Sequence, residues 1–131
     1  MIEDKYYNYA LDQIKRAERE KKKYNGYKDK ADRHCFYTGL PYAERHEIFG
    51  GPNRRTSIRL GFQVDLSPDK HRELQANITP WAQEENTKWR RVYQRAAMEI
   101  LIKCDKVSEQ EALKAWMALI GRNYIEELIP E

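Results

Sequence analysis

The side chains able to exchange protons, bind metal or grip phosphate are concentrated in one part of this 131-residue chain. The run Arg45-His46-Glu47-Ile48-Phe49-Gly50-Gly51-Pro52-Asn53-Arg54-Arg55 sets a histidine and a glutamate beside an apolar pair. It then crosses a glycine-proline hinge into a segment that also carries Arg59. Histidine titrates near neutral pH and ligates metals, and arginine presents a fork of donors that matches phosphate oxygens. A further histidine, His71, follows Asp65 and Asp69. Cys35 and Cys104 lie far apart in a chain that opens Met-Ile-Glu-Asp-Lys, without the apolar core of an export signal, so free thiols are expected rather than a disulfide.

Bulk composition narrows the class. Hydrophobic residues make up 40% and charged residues 34%. Mean hydropathy is −0.96, and no apolar run approaches the roughly 18 residues of a membrane span. The expected compartment is the cytoplasm. A net charge of +3 permits contact with nucleic acid without demanding it, so the position of the charge matters more than its sum.

Periodicity supplies the elements that must position these groups. Tyr7, Ala10, Leu11, Ile14 and Ala17 form one stripe of a helix over 4–24, which Asn25-Gly26 would stop. The run Lys21-Lys22-Lys23 reads either as a solvated helix end or as a phosphate-contacting arm. Cys35-Phe36-Tyr37, a Thr38-Gly39 turn and Ala43 to Phe49 suggest a hairpin, with Pro41 between its arms. Asn53 is placed to cap a short helix over Arg54 to Leu60, ended by Gly61. Phe62 to Leu66 alternates like a half-buried strand, and Ser67-Pro68-Asp69 starts the helix that carries His71.

Thr79-Pro80 starts a longer helix through Trp89, Tyr93 and Cys104. The capping box Ser108 to Glu111 starts another, through Trp116 and Met117, that Gly121 closes. The tryptophans read as packing residues. The class is α+β, with an N-terminal helical extension over 1–32, a core over 33–78 and a C-terminal helical segment over 79–131.

Several separated pieces together resemble a known family. His46-Glu47-Ile48-Phe49-Gly50-Gly51, Asn53-Arg54, Ser57, Gly61 to Leu66, His71 and the tail Gly121-Arg122-Asn123-Tyr124 are similar, in that order, to phage-encoded HNH-like nucleases related to phage recombination-enhancement nucleases. The resemblance covers about residues 33 to 124. It implies a ββα-metal core, in which a hairpin histidine activates water and a metal stabilises phosphoryl charge. Carried over by position, His46 is the general base or a ligand, Asn53 and Arg54 position the loop or a phosphate, and His71 is the helix ligand. It also implies a phage protein working in the host cytoplasm.

The chain departs from that pattern at the metal ligands. Where the family carries Cys-x-x-Cys this chain has Cys35-Phe36-Tyr37-Thr38, and where it carries cysteine before the helix this chain has Ser67. The second histidine of the helix pair is Arg72. Structural zinc needs about four Cys or His ligands, and Cys35 and His71, with His34 or His46 at best, do not make that set. Magnesium or manganese accepts oxygen ligands, for which Glu47, Asp65, Asp69 and His71 are the candidates. The other reading of the two histidines is a half-buried pair bonded to backbone. Without zinc, the rings of Phe36, Tyr37, Tyr42, Phe49 and Phe62 must hold the hairpin, each contributing about 1.5–3 kcal/mol when buried.

The expected function is an HNH-like protein with an impaired metal site that binds nucleic acid or a nucleic-acid-processing enzyme through Arg45, Arg54, Arg55, Arg59, Arg72 and Lys21 to Lys23. One alternative is an active metal-dependent HNH DNA endonuclease with His46 as general base. A second is a phage inhibitor of a host defence nuclease, anti-CRISPR-like, acting by protein binding through tyrosine and arginine side chains.

Overall fold

A computed structural model of the chain describes residues 2–20 and 32–130; the Lys21 to Lys23 arm and the Asn25-Gly26 stop lie outside the described residues. Among the described residues, helices α1 (Ile2–Glu20), α2 (Arg54–Leu60), α3 (Pro68–Ala76), α4 (Pro80–Asp105) and α5 (Glu109–Ile120) surround one antiparallel pair, β1 (Glu44–Glu47) and β2 (Gln63–Leu66). The architecture is mixed helix and sheet. No helix of the described residues is long and apolar enough to cross a membrane.

The helix boundaries follow local chemistry. Thr79 Oγ1 accepts the Ala82 N–H and Pro80 opens α4, while Ser108 and Glu111 exchange both bonds of a capping box at α5. Gly121 then closes α5 in the left-handed region. Ser67 and Asn53 stand at the N-cap positions of α3 and α2 but make no side-chain cap bond, so the expected capping by Asn53 is corrected. Its amide instead donates to the Ile120 carbonyl at 3.0 Å, fastening the start of α2 to the end of α5.

The strand pairing differs from the hairpin read in the sequence. The partner of β1 is β2, in the register Glu44–Leu66, Arg45–Asp65, His46–Val64 and Glu47–Gln63, with α2 between the strands. Residues 33–43 form a closed turn instead: Cys35 N–H donates to Leu40 O, Gly39 N–H to Cys35 O, and Ala43 N–H to Arg33 O. The rings explain the difference. Phe36 packs at 4.9 Å from Tyr6 and 4.8 Å from Trp89, and Tyr37 at 5.1 Å from Trp81, so this segment is drawn onto α1 and α4. Tyr42, expected in the core, is 62% exposed.

β2 was read as half-buried, yet Gln63, Val64 and Leu66 are all buried. Its second edge is closed by other groups: Asp65 N–H donates to the Tyr9 hydroxyl, Phe36 N–H donates to Asp65 O, and the Tyr93 hydroxyl donates to Gln63 O. An edge left open would be a template for pairing with another chain, and here side chains from α1 and α4 occupy it.

Helix α4 is the central post, with Ala82, Trp89, Val92, Tyr93 and Ala96 buried at helical spacing. Polar residues lie on the same buried stripe. Glu85 accepts the hydroxyls of Tyr6 (2.6 Å) and Tyr37 (2.8 Å) and pairs with Lys88 (3.0 Å). Trp89 donates its indole N–H to Tyr37 at 2.8 Å. Burial pushes the Glu85 carboxyl up, but the two hydroxyls and the Lys88 ammonium outweigh it and hold the group below its ordinary value.

Gly61 is where α1 crosses the junction between α2 and β2. Its φ is +77°, and a Cβ there would stand 2.6 Å from the Gln13 carbonyl oxygen and 2.7 Å from Ala17 Cβ. Gly61→Ala therefore combines left-handed strain with overpacking, for a loss of about 2–4 kcal/mol. Urea denaturation checks this; an unchanged midpoint would mean that α1 does not pack there.

Candidate functional site

The pleat of β1 turns Glu44 and His46 to one face. Helix α3 crosses that face and brings His71 to both: His71 Nδ1 lies 3.0 Å from Glu44 Oε1, and the His46 and His71 rings meet edge to face with centroids 5.2 Å apart. The two histidines, 25 residues apart in the sequence, thus share one site. They line a cleft of about 290 Å³ with Gly50, Gly51, Arg54, Asn77 and Arg90 among its other walls.

The hinge that forms one wall is braced from behind. Ser57 Oγ donates to Phe49 O at 2.8 Å and accepts the Phe49 N–H at 3.1 Å, and it is fully buried. The Phe49 ring packs on Trp116 at 5.4 Å and Tyr124 at 5.6 Å. Gly51 takes φ +56°, the left-handed value that turns the chain toward α2. The tail is itself fixed by Gln94, whose amide donates to Asn123 Oδ1 (2.8 Å) and accepts the Tyr124 N–H (2.7 Å).

His46 is held neutral. Burial first, then the neighbouring His71 and the Arg90 guanidinium, pull its pKa down from 6.5 to about 4. At neutral pH it can accept or donate one hydrogen bond, but a base this weak abstracts protons poorly. The hydrogen bond between Glu44 Oε1 and His71 Nδ1 leaves Nε2 as the other ring nitrogen, an orientation that metal-binding histidines commonly receive from a carboxylate.

The remaining expected metal donors do not assemble around His71. Glu47 Oε1 is held by Arg54 Nε at 3.1 Å, and Asp69, whose side chain is 88% exposed in the first turn of α3, pairs with Arg72. Among the described residues no group of three or more His, Cys, Asp or Glu could hold a metal ion. Glu47, Asp69 and His71, the expected ligands, are not brought together in this structure. Of the two histidines, His71 bonds a carboxylate rather than the backbone.

A second cluster stands beside the sheet. Cys35 is buried, with the hydroxyl and backbone groups of Thr38 and Ser67 near enough to act on its thiol. Burial alone would push the thiol up; hydrogen bonding to these groups pulls it down to about 7. One thiol and two hydroxyls do not fit structural zinc, which takes thiolate and imidazole. Cys104 is exposed near the end of α4, and both cysteines are free.

The expected basic residues are distributed unevenly. Arg54 lines the cleft and is 65% exposed, Arg55 and Arg59 are exposed on α2, and Arg72 is exposed on α3 in its pair with Asp69. Arg45 is half-buried on β1. Sequence reasoning missed Arg90 and Asn86. Asn86 donates to Leu74 O and Asn77 Oδ1, both at 2.9 Å, and so holds the end of α3 against α4. The available signal was a polar residue on the buried stripe of α4.

Compared with known protein families, curated proteins and solved structures, the chain matches none.

Two measurements follow from this geometry. The His46 ring proton, followed by NMR, should titrate near pH 4. Between 6.5 and that value the unfolded chain binds a proton that the folded one refuses, so stability falls as pH drops through this window. A midpoint near 6.5 would place His46 in water instead. Because aromatic contacts hold residues 36 and 37, EDTA should leave the circular dichroism spectrum and Tm unchanged; loss of the folded signal would show a structural metal.

Proposed function

We propose that the chain is an HNH-like ββα protein that binds the phosphate backbone of nucleic acid in the His46–His71 cleft, with the metal site of that class impaired. The observation that carries this reading is the meeting of His46 on β1 with His71 on α3, 5.2 Å apart, in a cleft walled by Arg54 and Arg90. A phosphate oxygen entering there finds two guanidinium groups, and a neutral imidazole that can donate to it without a charge of its own to desolvate.

The Cys35 cluster supports the same reading. Residues 35, 38 and 67 are the positions at which the HNH-like nucleases carry cysteine, and here a thiol and two hydroxyls meet at those positions. Hydrogen bonds and ring packing then do the holding that zinc would do.

The metal-dependent endonuclease reading keeps one support, the orientation of His71 by Glu44. The donor set around His71 is incomplete, so no catalytic step is drawn through a metal.

The test is DNA binding by fluorescence anisotropy across salt, run beside a cleavage assay with magnesium, manganese and nickel. Binding should weaken steeply with salt, by close to one power of the salt concentration per phosphate contact. Arg54→Ala and Arg90→Ala should each weaken it roughly fivefold to tenfold. Salt-independent affinity would sink the binding reading, and metal-dependent cleavage abolished by His46→Ala would establish the enzyme instead.

A further inference from the structure

A larger groove, of about 670 Å³, lies between α1 and α4 and shares no lining residue with the histidine cleft. Its volume falls within the range of small-molecule sites, roughly 300–1,000 Å³. Tyr7, Pro80 and Val92 give it apolar surface, and Lys88, Arg91 and Arg95 give it cations. Spaced at i, i+3 and i+7, those three lie along one stripe of α4.

The cations differ in what already holds them. Lys88 is committed to the buried Glu85 at 3.0 Å and sits over the Tyr6 ring at 4.6 Å. Arg91 Nη2 instead meets Glu127 Oε1 at 3.2 Å, in a pair whose side chains are 39% and 66% exposed. The Glu127 carboxyl lies below its ordinary value, through its own backbone N–H first and then through the charges of Arg91 and Arg95. A carboxylate of the chain itself therefore sits on Arg91, one of the two arginines that border the groove. The tail turn presents it, closed by Leu128 N–H on Ile125 O at 3.0 Å and anchored by Asn123 on Leu128 O at 2.7 Å.

We propose that the α1–α4 groove binds a small amphipathic anion, its apolar body against Tyr7 and Val92 and its phosphate or carboxylate on Arg91 and Arg95, in the place Glu127 holds when the groove is free. Asp4 and Glu84 also line the groove, so it is not uniformly basic and would repel a polyanion such as a nucleic-acid strand. One anionic group on an apolar body suits it. The exposed Arg91–Glu127 pair is a weak one, so a ligand with its own anion can displace it at small cost. The tail turn thus acts as an internal competitor for the site.

Titration of the full chain with phenyl phosphate, benzoate and inorganic phosphate, followed by NMR of the backbone amides, tests this. Phenyl phosphate and benzoate should shift the amides of Tyr7, Val92 and Arg95 saturably, and inorganic phosphate should bind more weakly than phenyl phosphate. Which of the two aromatic anions binds tighter tells whether phosphate or carboxylate is the preferred head group. Glu127→Gln should tighten the aromatic anions roughly threefold to fivefold, the release of an exposed ion pair. Arg91→Ala with Arg95→Ala should abolish saturation while leaving Tm within a few degrees. No saturable shift, equal binding of phenyl phosphate and inorganic phosphate, or an affinity untouched by Glu127→Gln would each overturn the proposal.

Discussion

Glu85 is a carboxylate 5% exposed to solvent, in a position where an unpaired charge would cost several kcal/mol. It is tolerated because two tyrosine hydroxyls and an ammonium converge on it, and each of those partners comes with a structural obligation. Tyr6 fixes α1, Tyr37 fixes the closed turn of residues 33–43, and Lys88, one turn along α4, supplies the compensating charge. The ring cluster of Tyr6, Phe36 and Trp89 packs around the same point, with centroids 4.7–4.9 Å apart. Removing the carboxylate would leave one buried and one half-buried hydroxyl without their acceptor, so the knot holds as a unit. The sheet depends on it in turn, since Tyr9 and Phe36 satisfy the second edge of β2 at Asp65.

From that knot outward, polar residues buried on α4 set the geometry of the histidine cleft. Asn86 holds the C-terminal end of α3, and Gln94 holds the tail whose Tyr124 ring supports Phe49. Asn53 ties α2 to α5. The Gly50-Gly51 hinge is therefore open to the cleft yet supported from the inside by aromatic packing. Rigid walls of this kind suit a site that must present arginines and an uncharged imidazole to a ligand without reorganising. The tail takes part twice, bracing the hinge through Tyr124 and meeting Arg91 through Glu127.

The local signals in the chain were good predictors of local structure. Pro80 after Thr79, the Ser108 to Glu111 box, Gly61 and Gly121 mark real helix ends, because each acts through bonds or dihedrals within a few residues of itself. The juxtaposition of the two histidines was not legible in local pattern. Nothing in the spacing of His46 and His71 says that β1 and α3 will cross. The hairpin was misread because Cys35-Phe36-Tyr37 has the composition of a strand, while its rings are claimed by α1 and α4, elements distant in sequence. Arg90, Asn86 and the α1–α4 groove were invisible for the same reason.

By itself the sequence determined the helix count and boundaries on the C-terminal side, the α+β class, and a chain rich in surface charge. Those depend on periodicity and capping, which are interactions between neighbours. Tertiary structure alone decided that β1 pairs with β2 across an intervening helix, that Glu47 and Asp69 are drawn to Arg54 and Arg72 rather than to His71, and that His46 is neutral. Each of those is a competition between partners far apart in the chain, settled by burial and by which groups the packed helices bring within hydrogen-bonding distance.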